Sequence, residues 1–222
     1  MFHAHRDMER GALVSVKTTA GDYGRTAACG CGCSCADGDG SADSPDYEYA
    51  YHTPLLAENV DGDSYRPTEN RMSIFTRYPA VRHHPVADAN TSLCVELETE
   101  RSSLVVYGTI FGIHGNRRPS FRQDIEEQME DVRRLAEHGH VICLCGDFNC
   151  SFFDNYYFTN WARQTLTDTF AACDLELVTG GQPECIDHIA LSRSFPREGT
   201  VTVREWNLDK TLSDHKGICI DI

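Results

Sequence analysis

Hydrophobic and polar residues follow strand-like patterns in the first half of the chain. Arg71–Arg77 has the composition of a strand that stops at Tyr78-Pro79. Leu93–Glu98 alternates apolar and polar residues with the period of a half-buried strand. Ser103–Phe111 is rich in Val, Tyr, Thr and Ile, which favour strands. Because only a short turn separates the last two stretches, we expect them to be neighbouring antiparallel strands.

The clearest helical pattern covers Ser120–His138. Its apolar residues recur at spacings of three and four, which places them on one face of a helix: Phe121, Ile125, Met129, Val132 and Leu135. Ser120, directly after Pro119, is the expected N-cap. Gly139 is well placed to end the helix.

The second half of the chain mixes strand patterns with one further helix. Val141–Cys145 is continuously apolar, as in a strand covered on both faces. We expect a helix over Trp161–Ala172, and strands near Ile186–Ser192, Thr200–Trp206 and Gly217–Ile222. Many strands with few helices predict a layered α/β sandwich.

Residues 1–45 differ in composition from the rest of the chain and are rich in Gly, Ser, Asp and Cys. Only Ala12–Val16 resembles a short strand. Such a composition buries too little apolar surface to offset the entropy of ordering, so we expect residues 1–45 to be mostly irregular or disordered and residues 46–222 to form one domain. The run Cys29–Cys35 alternates cysteine with other residues. With His3 and His5 it offers ligands to a soft metal, although it lacks the Cys-x-x-Cys spacing of structural zinc sites.

Composition limits the location and partners of the protein. No apolar run approaches the roughly 20 residues needed to span a bilayer, and Met1–Arg10 does not resemble a secretory signal. We therefore expect a cytoplasmic protein with no membrane partner, and the odd number of cysteines argues against a disulfide framework. The net charge of −14 disfavours a nucleic-acid partner, because neutralisation of phosphates supplies most of such binding. A bound metal and local arginines can reverse that sign at one cleft.

The first group of residues with chemical potential is Gly146-Asp147-Phe148-Asn149, directly after the buried strand. In extended geometry Asp147 and Asn149 point the same way, while Phe148 points oppositely. The motif therefore presents an acid and an amide together at a strand end. The alternative is an ordinary turn, since Gly, Asp and Asn all favour turns.

Two more motifs follow. Asp187 lies within the apolar stretch Ile186–Leu191, where an ionised carboxylate needs a partner. A structural Asp bonded to a backbone amide is the alternative. Asp214-His215 precedes the last strand, and a histidine oriented by a carboxylate can act as a general acid or donate to a phosphate oxygen. A solvated loop is the alternative there.

Taken in this order, the three motifs resemble those of the endonuclease/exonuclease/phosphatase family, which includes DNase I and exonuclease III. The stretch Asn70–Pro79 is similar to the family's middle strand, and the resemblance covers roughly Tyr47–Ile222. It implies a DNase I-like four-layered α/β sandwich of two packed mixed sheets. It also implies hydrolysis of a phosphoester assisted by Mg²⁺ or Mn²⁺.

The resemblance assigns a role to each motif residue. It implies that Asp147 orients or deprotonates the attacking water and that Asn149 holds the nucleophile and the phosphate. Asp187 would pair with His215, which would contact a non-bridging phosphate oxygen or protonate the leaving group. Asp214 would help to bind the metal ion.

The early family motifs are not recognisable. The family has an Asn at the end of its first strand and a metal-binding Glu at the end of its second. Residues 1–45 contain one glutamate, Glu9, in a context that is not strand-like. The sequence therefore predicts a fold that is incomplete at its N-terminus and a metal site without a recognisable glutamate ligand.

A second departure follows the strand pattern Ser103–Phe111. Many family members have Thr-His there, whereas this chain has Thr109-Ile110. His114 is a candidate substitute, and Arg117 and Arg118 are candidates to hold substrate phosphate. The alternatives are a surface histidine and a solvated charge run beside the helix.

The function expected from these residues is that of a metal-dependent phosphodiesterase or nuclease acting on a phosphoester substrate such as DNA or RNA. Two alternatives stay open. One is a degenerate, non-catalytic family member that acts as a binding module. The other is a phosphatase acting on a small phosphorylated molecule.

Overall fold

The computed structural model describes residues 14–18, 27–29, 47–55, 70–112, 119–197, 199–211 and 215–222. Twelve strands and two helices lie within these ranges. In chain order they are β1 (Val14–Thr18), β2 (Ala27–Cys29), β3 (Tyr49–His52), β4 (Met72–Thr76), β5 (Ala80–His83), β6 (Ser92–Glu98), β7 (Ser103–Ile110), α1 (Pro119–Glu137), β8 (Ile142–Asp147), α2 (Asn160–Ala172), β9 (Leu175–Leu177), β10 (Asp187–Ser192), β11 (Thr202–Trp206) and β12 (Gly217–Asp221).

The largest sheet has six strands in the order β5-β6-β7-β8-β10-β9. Strands β7 and β8 are parallel, and all other neighbours in this sheet are antiparallel. The predicted antiparallel pairing of Leu93–Glu98 with Ser103–Phe111 is confirmed by β6 and β7. Helix α1 connects β7 to β8, as a parallel pair requires a crossover.

A second sheet has the order β2-β1-β4-β3 and is antiparallel throughout. Apolar side chains from the two sheets and from β12 form one buried cluster, which includes Met72, Ile74, Val95, Leu97, Val106, Ile189 and Ile218. This cluster is the core between the sheets. Strands β11 and β12 form a separate antiparallel pair.

Both helices cover the other face of the six-stranded sheet. The predicted apolar face of α1 is buried, and α2 adds Ala162, Leu166 and Phe170 to the same cluster. The described residues therefore supply three layers, one of helices and two of sheet, and the predicted α/β sandwich is confirmed. No helix in this part of the chain is long and apolar enough to cross a membrane.

The ends of α1 illustrate two local rules. The helix begins at Pro119, one residue before the expected cap Ser120, because proline suits the first helical position. It ends near Gly139 as predicted: Gly139 has φ 77°. The Gly139 N–H donates to the Ala136 carbonyl and the His140 N–H to the Leu135 carbonyl. This pair of bonds is the Schellman pattern.

Strands β1 and β2 lie within the segment that we expected to be mostly irregular. β1 overlaps the predicted strand Ala12–Val16 and pairs with β4 over five residue positions, so it is a central strand of its sheet. β2 was not predicted. The other residues of 1–45 lie outside the described ranges, and the boundary near residue 45 stays a prediction.

The cysteines follow two patterns. Within the ranges that the structure describes, six are free thiols: Cys94, Cys143, Cys145, Cys150, Cys173 and Cys185. Burial raises the pKa of Cys185 to about 12, so this thiol stays protonated. Cys219 is disulfide-bonded, which the odd number of cysteines had not led us to expect.

Candidate active site

Asp147 and Asp187 are placed side by side by the pairing of β8 with β10. They are directly opposite each other in the antiparallel register, at the end of β8 and the start of β10. Opposite residues in such a pair project to the same face of the sheet. Both residues are buried, with relative exposures of 1% and 8%. The sheet therefore brings two carboxylates from motifs 40 positions apart to one point.

Asn149 meets Asp147 through a turn. It has φ 47°, so the chain is no longer extended there and the expected strand alternation does not operate. Its backbone N–H donates to Asp147 Oδ1 at 2.8 Å, and its Nδ2 donates to Asp147 Oδ2 at 3.2 Å and to the Phe111 carbonyl at 2.8 Å. The motif is thus both a turn and a polar cluster, and the two interpretations of its sequence are compatible.

Packing explains why Gly146 and Phe148 occupy the other two positions of this motif. Gly146 has φ 135°, and a Cβ there would lie 2.0 Å from the Thr109 carbonyl oxygen, so only glycine fits between β7 and β8. Phe148 is fully buried, with its ring 5.0 Å from that of Phe111 between centroids. The aromatic residue packs beneath the polar pair, as the sequence predicted.

His215 reaches the same point from the loop before β12. Its Nδ1 lies 2.9 Å from Asp187 Oδ2, and both side chains are about nine-tenths buried. One ligand-type atom from each of Asp147, Asp187 and His215 lies within 4.8 Å of the others. Asn207 Nδ2 donates to the His215 carbonyl at 2.6 Å and helps to fix this loop. Residues from all three sequence motifs therefore converge.

The cluster is chemically suited to a divalent metal ion. Asp187 Oδ2 is buried and accepts no hydrogen bond of good geometry from the described residues, although His215 Nδ1 is close to it. An acceptor left in this state needs a cation or a well-aligned donor. The carboxylates of Asp147 and Asp187 suit Mg²⁺ or Mn²⁺, which take oxygen ligands.

Four predicted site residues lie outside the described ranges. These are the proposed metal ligand Asp214 and the three substrate-binding candidates His114, Arg117 and Arg118. Their roles stay predictions. Ile110, at the position where many relatives have His, is buried in the core between the sheets and does not reach the site.

A cavity of about 290 Å³ opens beside the cluster. It is lined by Asn149, Tyr156, Tyr157, Glu184, Ile186, Asp187, Lys210, His215 and Lys216. Burial raises the pKa of Tyr157, and the negative charge of Asp147 raises it further. The tyrosine therefore stays a neutral hydroxyl that can donate a hydrogen bond into the cavity.

Two lysines that line this cavity, Lys210 and Lys216, belong to none of the three motifs. Lys210 Nζ donates to the Tyr156 hydroxyl at 2.8 Å and lies 4.7 Å from the centre of its ring. Lys216 Nζ lies 2.8 Å from Glu205 Oε1 and also donates to the Pro183 carbonyl. One signal was visible: the chain has only three lysines, and two of them flank Asp214-His215.

A buried polar network supports the site from α1. Gln128 Nε2 donates to Asp124 Oδ1 at 2.9 Å, and the Gly112 N–H donates to Asp124 Oδ2 at 2.6 Å. The Thr109 hydroxyl donates to Gln128 Oε1. These bonds fix the chain where β7 ends, next to the Phe111 carbonyl that holds Asn149.

Solved structures with the same fold include an endonuclease/exonuclease/phosphatase from Beutenbergia cavernae DSM 12333, at TM-score 0.55 and 16% identity. That match covers 79% of this chain but only 53% of the other, so the chain spans about half the length of this relative. The 3′ phosphatase NExo from Neisseria, bound to a product DNA hairpin, matches at TM-score 0.53 and 17% identity, over 72% of this chain and 77% of its own. The endonuclease domain of TRAS1, a telomere-specific non-LTR retrotransposon, matches at TM-score 0.54 and 14% identity, over 78% and 79%.

A sequence comparison with curated proteins gave no match. The low identities of the structural matches show a shared DNase I-like fold and nothing finer. The family model for the endonuclease/exonuclease/phosphatase family matches residues 17–215, most of the chain. This protein belongs to the endonuclease/exonuclease/phosphatase family.

Proposed function

We propose that this member of a phosphoesterase family is a metal-dependent phosphodiesterase or nuclease that uses Asp147, Asn149, Asp187 and His215. The observation that carries the proposal is the convergence of Asp147, Asp187 and His215 within 4.8 Å, beside an open cavity. Three separate chain segments supply these groups, and each belongs to a motif of the family. A purely structural ion pair would not need the third group or the cavity.

Asp147 is the group that orients or deprotonates the attacking water. Its two oxygens accept hydrogen bonds from Asn149, which fixes the plane of the carboxylate next to Asp187. A base held in one orientation has a smaller entropic barrier to proton abstraction. The Asn149 Nδ2 group donates to Asp147 and to the Phe111 carbonyl, so its Oδ1 is the atom that can accept a hydrogen bond from the attacking water.

His215 acts on the phosphate oxygens or on the leaving group. Asp187 Oδ2 lies 2.9 Å from His215 Nδ1, an ion-pair contact that favours a proton on Nδ1 and leaves Nε2 to face the substrate. A carboxylate beside the ring also stabilises the imidazolium form, which can donate a proton. The pair is therefore an oriented general acid or a cationic hydrogen-bond donor.

The metal ion that the family implies fits this site. Asp147 and Asp187 offer carboxylate oxygens, and Asp214 is proposed as a further ligand from the resemblance. A bound Mg²⁺ or Mn²⁺ supplies Lewis-acid polarisation of the phosphoryl oxygens and stabilises the charge that develops on them.

Two features bear on the substrate. The structural relatives include a 3′ phosphatase bound to a product DNA hairpin and a retrotransposon endonuclease domain, which supports a nucleic-acid substrate. Lys210 and Tyr156 are placed to contact a phosphate and a base at the cavity wall. The net charge of −14 and the cavity of about 290 Å³ favour a compact substrate instead, such as a small phosphorylated molecule.

The proposal is tested with purified full-length protein and a panel of substrates. The panel contains a DNA hairpin, single-stranded RNA, bis(p-nitrophenyl) phosphate and p-nitrophenyl phosphate, each with Mg²⁺, Mn²⁺ or EDTA. We expect cleavage of at least one phosphodiester with metal and none with EDTA. Asp147→Ala and His215→Ala should each lower kcat/KM by about 10²–10⁴-fold, the size of a lost general acid or base.

The matched control is Asp168→Ala, an exposed carboxylate on α2 that does not line the cavity. It should leave kcat/KM unchanged. Cleavage of p-nitrophenyl phosphate alone would favour the phosphatase alternative. If neither metal supports cleavage of any substrate, the enzymatic proposal fails, and the binding-module alternative is then tested by fluorescence anisotropy with the same hairpin.

A further inference from the structure

A second cluster of metal-ligating side chains lies away from the candidate active site. It consists of His84, Glu96 and His140. His84 Nε2 lies 3.0 Å from Glu96 Oε2, and His140 Nδ1 lies 4.0 Å from Glu96 Oε1. The two imidazole rings are 4.9 Å apart between centroids and inclined at 74°. One ligand atom from each of the three residues lies within 4.8 Å of the others.

Three separate segments build this cluster. His84 directly follows β5, Glu96 is on β6, and His140 lies between α1 and β8. Glu96 pairs with Val105 of β7, which in turn pairs with Ile142 of β8, so neighbouring strands bring the cluster together. The turn at Gly139 then aims the chain so that His140 lies against Glu96. The side chains are mostly buried, with exposures of 9%, 16% and 22% for His84, Glu96 and His140.

We propose that His84, Glu96 and His140 bind a divalent transition-metal ion of the zinc class, at a site separate from the catalytic cleft. Two imidazoles and a carboxylate are a protein ligand set that Zn²⁺ accepts, with water in the fourth position. The same set is poorly suited to Mg²⁺, which prefers oxygen ligands alone. The site therefore selects a softer ion than the catalytic carboxylates do.

The protonation states favour metal binding near neutral pH. Burial lowers the pKa of His140, so its imidazole is neutral and its lone pair is available. Burial raises the pKa of Glu96, but hydrogen bonds with Ser103 and His84 outweigh it and the net shift is downward. Glu96 is accordingly a carboxylate, and the Ser103 hydroxyl donates to its Oε1 at 3.0 Å as an orienting outer partner.

One nearby cation opposes a bound ion. Arg82 Nε lies 3.8 Å from Glu96 Oε2, but the Arg82 side chain is two-thirds exposed. Its guanidinium can turn into solvent at small cost, since exposed ion pairs contribute little.

The position of the cluster indicates a stabilising role. His140 lies just before β8, and Asp147 is the last residue of that strand. Because seven extended residues span about 20 Å, the two sites lie at opposite ends of β8. An ion at this site would join the edge strand β5 and its neighbour β6 to the turn between α1 and β8. We expect it to raise the thermal midpoint of unfolding and to leave phosphoester hydrolysis unchanged.

Cobalt titration of the full chain tests the proposal, with excess Mg²⁺ present to occupy the catalytic carboxylates. The expected result is one equivalent of Co²⁺ with visible d–d absorption of a four-coordinate ion and without thiolate charge-transfer bands. Zn²⁺ should displace it. Thiolate bands would instead place the ion on the cysteines of the Cys29–Cys35 run and would overturn the proposal.

Variants locate the ion. His84→Ala and His140→Ala should each weaken binding by about 100-fold or more, since loss of an outer partner alone costs 10–100-fold. Ser103→Ala should weaken it by about 10-fold. The matched control is His138→Ala, an exposed histidine two residues from His140 whose Nδ1 hydrogen-bonds to the Arg134 carbonyl of α1.

Glu96→Gln covers the case in which a histidine variant fails to fold, because it retains the size and polarity of the side chain but removes its charge and one acceptor oxygen. It should abolish the cobalt spectrum while the protein stays folded by circular dichroism. Unchanged Co²⁺ binding in His140→Ala and Glu96→Gln, or no binding by the unmodified protein, would show that the cluster is only an internal ion-pair network.

Discussion

At the scale of single residues, neighbours in one motif have opposite environments. Asp187 contributes to the candidate active site, while His188, the next residue, is completely buried in the core. The His188 ring lies 5.6 Å from Phe148 and 5.0 Å from Phe152 between centroids. Its Nε2–H donates to the Cys185 carbonyl, and the Thr179 hydroxyl donates to its Nδ1. Strand alternation separates a functional residue from a structural one.

This burial makes His188 an acid-sensitive point of the fold. Burial lowers the pKa of His188 to about 4, from 6.5. Between those values the unfolded chain binds the proton and the folded chain does not. The free energy of unfolding is therefore undiminished above about pH 6.5 and falls as the pH is lowered from there to about 4, by about 3 kcal/mol in total.

Urea denaturation at several pH values measures this effect. His188→Gln should remove most of the acid-dependent loss between pH 6.5 and 4.5, at some cost in stability at pH 7. In the exposed control His138→Gln, the free energy of unfolding should depend on pH as steeply as in the unmodified protein. An equally steep slope in His188→Gln would mean that other groups cause the acid sensitivity.

The sequence predicted part of the site at this scale. It identified Asp187 as a carboxylate that needs a partner, and the resemblance supplied His215, which lies 2.9 Å from it. The contact between Asn149 and Asp147 was expected for the wrong reason, because a left-handed residue and not strand alternation produces it. Tyr156 and Lys210 are 54 positions apart and share no motif, so only the folded chain brings them to one cavity.

At the scale of secondary structure, the strands that the sequence missed share one property. β2, β3, β5 and β9 are the edge strands of their sheets and have only three or four residues each. A short edge strand is hydrogen-bonded on one side and partly exposed, so its apolar pattern is weak. Both helices and the inner strands of the six-stranded sheet were predicted because their buried faces impose a clear period.

Strand β8 depends on one glycine. In Gly146→Ala the new Cβ would lie 2.0 Å from the Thr109 carbonyl oxygen, at a backbone φ of 135° that alanine rarely adopts. Backbone strain and steric overlap together should lower the free energy of unfolding by about 3 kcal/mol or more. Activity should fall as well, because the strand end carries Asp147.

Gly139→Ala is the matched comparison. Gly139 also has a positive φ, 77°, but a Cβ there has nothing within 4 Å. Only backbone strain applies, so the loss should be about 1 kcal/mol. A comparison of the urea midpoints of the two variants separates the cost of backbone strain from the cost of steric overlap. Equal losses would mean that β7 and β8 move apart to accommodate a side chain at residue 146.

At the scale of the whole molecule, the fold gathers residues that are far apart in sequence. The end of β8, the start of β10 and the loop before β12 meet at one side of the core between the sheets. The order of motifs was sufficient to indicate the family, which the match over residues 17–215 confirms. The substrate was not predictable, because fold does not determine function and the cavity walls come from loops without a recognised motif.

The central claim is that Asp187 and His215 work as one unit beside Asp147. A double-mutant cycle in kcat/KM for phosphodiester cleavage tests it most directly, using Asp187→Asn, His215→Ala and the double variant. If the pair is one unit, each single change lowers kcat/KM by about 10²–10⁴-fold and the double variant is no worse than His215→Ala. Losses that multiply in the double variant would show that the two residues act independently and would contradict the proposed site.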